Sequence, residues 1–569
     1  MEKINKTIFI LLCISSVLLI DACTDNYKEL NTDPAILNED IVNVDLILTY
    51  LEKEAFRDQA SAGYRTYGSY CGMCRRDDDG PFSDRPSGGI WSAVYRNLLN
   101  NSNDIIRLID MKEDKADLVN KTAIARIIKA WSVAYLTDTY GDVPYTEACL
   151  PMDQVNYHPK YDLQKDIYAD MFKELKEAAA QLNTSKESFG SADLVYQGDP
   201  AKWKKLANSL RLRQALRVCY ADADLAKAQM SDLSESDLIT AVADDAVFPY
   251  SDDQPEYRNP RFVYVTSFGS ATNDQVFAHK VMIDVMMNDG VNLDPRIKLY
   301  ADTVKCLFKG GISPNGYEVP NWLYRGRPTL GAVDPIYQSP WLSETVSRLA
   351  DFWRVAITKP AIMKSSEVYF NLAEAKLRGL LPAGFTGTAN EYYQKAIDLS
   401  IEWYQDFYDL TAPQIPELYA LLYPTMTEDA IAEYLEYKKM QDADIEAFKA
   451  TPIYTLAGTF EEQLEMIINQ KIIALYPDEY QGWTEYRRTG YPKIPIGPDK
   501  SPLKGVIPRR EVWPEIEETL NPEKYEEVLA RFGGKVSRGD RILWWDANPD
   551  APHEYIWPDG EAPSMPTGY

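Results

Sequence analysis

The sequence predicts a mostly α-helical fold in which helix pairs form a scaffold beneath a large, loop-rich and partly irregular face. Three observations predict it. Apolar residues recur at helical spacing over about residues 90–220 and again over about 360–490. The stripes come two at a time. Residues 244–360 and 491–569 instead hold short periodic pieces broken by Pro and Gly.

In chain order, the first segment stands apart from that body. Lys3 and Lys6 precede an apolar run over residues 8–20, interrupted only by Ser15 and Ser16. A spanning helix needs roughly 20 apolar residues, so the run reads as a signal peptide and not as a retained anchor. In LIDAC, Ile20 and Ala22 flank Asp21 just ahead of Cys23, which resembles a bacterial lipobox, although Asp21 departs from the small or apolar residue usual there. The expectation is a signal peptide over residues 1–22, removed once the Cys23 thiol is diacylated. Residues 23–569 then form a water-soluble body held to a bilayer by acyl chains such as palmitate. Each buried CH₂ of such a chain contributes about 0.8 kcal/mol, enough to tether without a spanning segment.

The first predicted pair joins Trp91, Val94, Tyr95, Leu98 and Leu99 to Ile124, Ile127, Ile128, Trp131 and Tyr135. The second joins Ile167, Met171, Leu175, Ala178 and Leu182 to Trp203, Leu206 and Leu210. Asp199 is placed as N-cap of that last helix and Pro200 at its first position. The third pair sets Val368, Leu372 and Ala375 against Tyr393, Ala396, Ile397, Ile401 and Tyr404, across GLLPAGFTG. A fourth begins at Phe460, Leu464, Ile467 and Leu475. Paired helices with alanines at the crossings and tyrosines at the edges look like tetratricopeptide-type packing of irregular spacing. In the loop-rich insertion at about 244–360, only FAHKVMIDVMM at residues 277–287 carries a helical stripe. No Ser/Gly linker divides the chain, so one body is expected.

The chain has 86 acidic against 60 basic residues, a formal charge of −26. Binding a phosphate backbone needs clustered cations, so nucleic acid is excluded as a partner. The same acidity disfavours adhesion to an anionic membrane, which leaves tethering to the lipid. Of seven cysteines, Cys71 and Cys74 form a lone CxxC, and with only three histidines in the chain a zinc site is disfavoured. A local disulfide or free thiols remain as readings. Asp77, Asp78 and Asp79 before Gly80 suggest calcium, but the spacing of a calcium loop is absent, so no cofactor is expected.

Several stretches recur in an order that matches a known family. They are CTDNYKELNTDP at residues 23–34, YLTDTYGDVPYTEA at 135–148 and MKSSEVYFNLAEAKLRG at 363–379. INQKIIALYPDEYQGWTEYRRTGYPKI comes next at 468–494, then IPRREVWPEIEETLN at 507–521 and LWWD at 543–546. Together they make the chain resemble the SusD/RagB family of outer-membrane nutrient-binding lipoproteins. Most of this motif content reads as structural: Gly141 and Pro144 suit a turn, Asp142 suits nearby amides, and Trp483 and Tyr486 share a helix face. Arg487 and Arg488 have the forked geometry for carboxylates or carbonyls, and packing is favoured over ligand contact.

The resemblance implies a tetratricopeptide-like scaffold supporting a loop-rich ligand-binding face. It also implies a partner, a SusC-like TonB-dependent outer-membrane transporter over which the protein acts as a hinged lid for oligosaccharides (starch among them) or peptides. A lipid-anchored position on the outer membrane, facing outward, goes with that role.

Sugars stack on flat aromatics while polar side chains take their hydroxyls, so aromatics beside polar groups in loops are the candidates. The stretch at residues 63–89 offers Tyr67, Tyr70, Arg75, Arg76 and Asp79. PNWLYRGRP at 320–328 offers Asn321, Trp322, Tyr324 and Arg325, with Tyr337 and Trp341 further on. No GxSxG, HExxH, GxxxxGK or GxGxxG occurs, so binding is favoured over catalysis. A hydrolase or peptidase of the same uptake system, or a non-binding surface scaffold, are the rival readings.

Overall fold

The computed structural model describes residues 42–551 except 63–65, 77–88, 152, 268–275, 289, 304–323, 325, 328–345 and 495–506. The chain separates after Val44, and the helices and strands of the fold belong to the larger unit, Asp45–Tyr569. The signal peptide and Cys23 lie outside the described residues.

Nine of the helices among the described residues build the scaffold and position the site: Asn100–Asp110 (α1), Val119–Tyr140 (α2), Gln164–Gln181 (α3), Pro200–Val218 (α4), Lys280–Met287 (α5), Ser365–Leu377 (α6), Ala389–Thr411 (α7), Phe460–Leu475 (α8) and Glu479–Thr489 (α9). Successive helices α1 to α4 pack on one another, α4 meets α6, and α6 packs on both α7 and α8. The second and third predicted pairs are therefore present as α3–α4 and α6–α7, and α8, which opens the fourth, packs on α9. In the first, residues 91–99 lie in the short helical segments Gly89–Ala93 and Val94–Leu99, which lead into α1, and the latter packs on α2. Sheet among the described residues is limited to short strands, Cys74–Arg76 (β1), Val143–Pro144 (β2), Tyr161–Asp162 (β3), Ala246–Val247 (β4), Val276–Ala278 (β5) and Ala361–Met363 (β6), paired antiparallel as β1–β5, β2–β3 and β4–β6.

Local chemistry explains where the helices begin and end. Asp199 caps α4 by accepting from the Ala201 amide at 2.8 Å, with Pro200 in the first turn, as the sequence predicts. Thr388 and Glu391 form a reciprocal capping box on α7, and Thr459 and Glu462 repeat it on α8. Helix α2 stops at Gly141, whose φ of +84° favours glycine, and Asp142 then accepts from the Gln164 amide at 2.9 Å to start α3. Two departures from the sequence reading stand out. The C-terminal Pro-rich region contains helices Glu515–Leu520 and Pro522–Arg531. Between α7 and α8 lie three short helices, Ile415–Leu422, Glu428–Lys438 and Asp442–Lys449, too brief to leave a long apolar stripe.

The scaffold is cemented by buried ions as well as by apolar surface. Every residue of α9 is buried. Arg488 grips both Glu374 oxygens at 2.6 Å and also reaches Glu485 at 2.5 Å, while Lys471 approaches Glu485 at 3.0 Å. Burial alone would raise the Glu374 carboxyl, yet the Arg488 and Arg378 guanidiniums hold it down at about 2. Arg487 lies on the Trp483 ring, 3.5 Å from its centroid, and donates to the Asp138 carbonyl at 2.6 Å. These two arginines belong to packing, as the sequence favours.

Candidate functional site

The strand β5 gathers both stretches that the sequence singles out. Its three residues Val276, Phe277 and Ala278 are all buried, so its backbone must be paired on both sides. On one side β1 runs antiparallel, with Cys74 opposite Ala278, Arg75 opposite Phe277 and Arg76 opposite Val276. On the other, Phe277 bridges to Arg348, and the Ala278 amide donates to the Ser347 carbonyl at 3.0 Å. Arg327, from the PNWLYRGRP run, docks at the strand's end, where its amide donates to the Ala278 carbonyl and its carbonyl accepts from the Lys280 amide, each at 2.8 Å. Gly326 permits this approach, because a Cβ there would stand 2.3 Å from the Lys280 Cα.

Two side chains rivet the junction. His279 caps α5, its Nδ1 accepting from the Val281 amide at 3.1 Å. Burial, then the nearby charges of Arg75, Lys280 and Arg327, push its imidazole down to about 3, so it is neutral. The Tyr300 hydroxyl accepts from the His279 amide at 3.2 Å and donates to the Met73 carbonyl, tying the start of α5 to the residue just before β1.

Beside this junction a cleft of about 340 Å³ opens, with Tyr324, Tyr437, Asn292, Lys298 and Asp444 in its lining. Tyr324 is buried, and its hydroxyl lies 3.0 Å from that of Tyr437, which is 38% exposed. Lys298 donates to Asp444 at 2.7 Å and stands 5.8 Å from the Tyr437 centroid. An exposed aromatic face beside an ion pair and an asparagine can stack on a sugar ring and hydrogen-bond its hydroxyls. The sequence reading missed Tyr437, Lys298 and Asp444. Tyr434 and Tyr437 on a short acidic helix are the faint signal it passed over.

The other candidates fall out differently. Tyr67 and Tyr70, expected in a recognition loop, are core residues with exposures of 1% and 0%. Tyr67 stacks on Trp483 with centroids 4.9 Å apart and an 18° tilt, and it meets Tyr70 and Tyr480 edge-on. Tyr70 accepts from Arg538, which also pairs with Glu511 at 2.6 Å. A ring with no exposed face cannot stack on a sugar, so both are corrected to packing residues. Arg75 is likewise buried against β5, and Arg76 contributes its backbone to β1. Asp79, Asn321, Trp322, Arg325, Tyr337 and Trp341 lie outside the described residues, as do the aspartates weighed for calcium. Cys71 and Cys74 are buried thiols with no disulfide between them. Among the described residues, no group of three or more His, Cys, Asp or Glu is placed to hold a metal, and no helix is long and apolar enough to cross a membrane.

Comparison with known proteins adds the family. A SusD-like family profile, described as starch-binding associating with outer membrane, matches residues 82–514. Among solved structures, a chitin-binding protein is 27% identical with a TM-score of 0.66, covering 89% of this chain and 100% of its own. A SusD homologue from Bacteroides fragilis superposes with a TM-score of 0.69 at 22% identity, again over 89% of this chain and 100% of its own. A chitin-binding SusD homologue from Flavobacterium johnsoniae gives 0.64 at 23%, over 89% and 98%. No curated protein matches the chain. With the profile spanning most of the sequence and the helical scaffold shared with these structures, the chain belongs to the SusD-like family associated with the outer membrane.

Proposed function

We propose that the protein is a cell-surface nutrient-binding lipoprotein that captures oligosaccharides and passes them, unchanged, to a SusC-like TonB-dependent transporter that it covers as a lid. The family match over residues 82–514 carries this reading, since that family is described as starch-binding and outer-membrane associated. Two structural relatives are named as chitin-binding, which favours a glycan over a peptide as cargo. The cleft beside Tyr324 and Tyr437, held by the β5 junction, is the recognition surface, and acylated Cys23 is the leash.

The test is direct. Protein beginning at residue 24 is titrated calorimetrically with malto- and chito-oligosaccharides, and the mixtures are then analysed for shorter products. Saturable heat with intact glycan supports capture. Release of shorter glycans by pure protein would establish a hydrolase instead. Silence across a broad glycan panel would leave the scaffold reading. Co-purification of a large β-barrel with full-length protein from detergent extracts checks the transporter partner.

A further inference from the structure

Helices α2 and α3 face each other antiparallel. Towards one end Arg126 pairs with Glu174 at 2.8 Å and with Glu177 at 2.5 Å, and towards the other the Thr137 carbonyl accepts from the Gln164 side chain at 2.8 Å. This register sets Lys129, one turn on from Arg126, level with Asp170, one turn back from Glu174. The expected ion pair is not made. Tyr145 keeps the two apart, its hydroxyl donating to Asp170 at 2.6 Å while the Lys129 ammonium lies 5.4 Å from its ring centroid. Among the described residues, Lys129 has no hydrogen bond or ion pair beyond this ring contact. A half-buried ammonium held away from its carboxylate is a charge that the fold leaves uncompensated.

Both charges line a cleft of about 530 Å³ bounded by α1, α2, the start of α3 and residues 145–151. Most other carboxylates around it already serve the fold. Asp162 accepts from the Tyr145 and Thr146 amides at 3.1 and 2.8 Å, Asp104 pairs with Arg107 at 3.3 Å, and Asp110 pairs with Lys115 at 2.7 Å. The Asp166 carboxylate has no hydrogen-bond or ion-pair partner among the described residues, and it lies four residues from Asp170 on the same face of α3, like charge beside like charge. Ile106, Ile167, Leu150 and Pro151 supply an apolar wall. The cleft therefore offers one cation, two neighbouring anions and an oily surface, and a small zwitterion answers all three.

We propose that this cleft is a second binding site that takes a free α-amino acid with an apolar side chain, its carboxylate on Lys129 and its ammonium on Asp166 and Asp170. The cleft shares no lining residue with that of Tyr324 and Tyr437, so this assignment stands apart from glycan capture.

The experiment titrates protein beginning at residue 24 with L-leucine, with leucinamide, which lacks the carboxylate, with 4-methylpentanoate, which lacks the ammonium, and with trileucine, followed by saturation-transfer NMR. Leucine should saturate the protein, and leucinamide and 4-methylpentanoate should each bind more weakly by roughly tenfold or more, the loss expected when one charge-assisted hydrogen bond is removed. Lys129→Met should weaken leucine by a similar factor while far-UV circular dichroism and melting temperature hold, Lys129→Arg should restore part of the affinity, and Asp170→Asn should weaken leucine but not 4-methylpentanoate. Leucine that fails to saturate, or that binds Lys129→Met as tightly as the unaltered protein, overturns the site. 4-Methylpentanoate or leucinamide bound as tightly as leucine overturns the zwitterion class, and trileucine bound more tightly than leucine overturns the free amino acid. Glycan titrations run beside these report on the other cleft, so the failure of either reading leaves the other in place.

Discussion

Replacing Tyr70 with alanine tests whether the Gly-rich stretch at residues 63–89 ends in packing or in recognition. The ring is 0% exposed, sits edge-on to Tyr67 and is tilted against Trp483 with centroids 5.6 Å apart. Deleting a fully buried aromatic typically costs about 3–5 kcal/mol through lost transfer energy and the cavity left behind. The hydroxyl adds to this, because Arg538 donates to it, and the Arg538 backbone carbonyl in turn anchors the Arg509 amide at 2.7 Å. Tyr70→Phe isolates that share, expected at about 1–3 kcal/mol for a buried donor left without its acceptor. Urea unfolding followed by tryptophan fluorescence should show a lower midpoint with an unchanged slope for both variants, larger for alanine. Glycan affinity measured on the folded fraction should stay at the wild-type value. An unchanged midpoint with lost glycan binding would refute this placement and return Tyr70 to the ligand face.

The remaining predictions are shorter. Arg488→Met removes the cation shared by Glu374 and Glu485, leaving them Arg378 and Lys471, and should cost about 3–5 kcal/mol in urea unfolding, the usual loss on breaking a buried ion pair. His279 accepts a proton near 6.5 when unfolded but only near 3 when folded, so stability should fall as pH drops through that window, by about 1.4 kcal/mol per unit at most. His279→Gln should flatten that part of the pH profile, and an equally steep profile in the variant would refute the assignment. Tyr437→Ala should weaken glycan binding by roughly tenfold, the loss of a single important contact, with little change in melting temperature. Cys23→Ala should leave a folded protein that no longer partitions with membranes on fractionation.

Much of the scaffold was legible because its helices are long enough for apolar spacing to repeat. Trp203, Leu206 and Leu210 keep helical spacing behind an Asp-Pro start, and the structure buries all three beneath a working cap. Arg487 and Arg488 were readable as packing because their segment is regular and lies close to the helix pairs, and the structure buries the whole of α9. The candidate site was harder. A strand such as β5, of three residues, is too short to show a period, and its partners lie far away in sequence, so neither β1 nor Arg327 announces the pairing. Tyr70 misled because glycines around it suggest an open loop, whereas Gly68–Cys71 forms a single helical turn pressed under α9. Tyr437 escaped for the opposite reason, as one tyrosine among 38 on a short acidic helix.

The docking of Gly326 on Lys280 bears on how this surface could be re-engineered. Because the Arg327 segment is stitched to the end of β5 beside a glycine that leaves no room for even a methyl group, any redesign must keep Gly326, and with it the Met73, His279 and Tyr300 contacts that brace the strand.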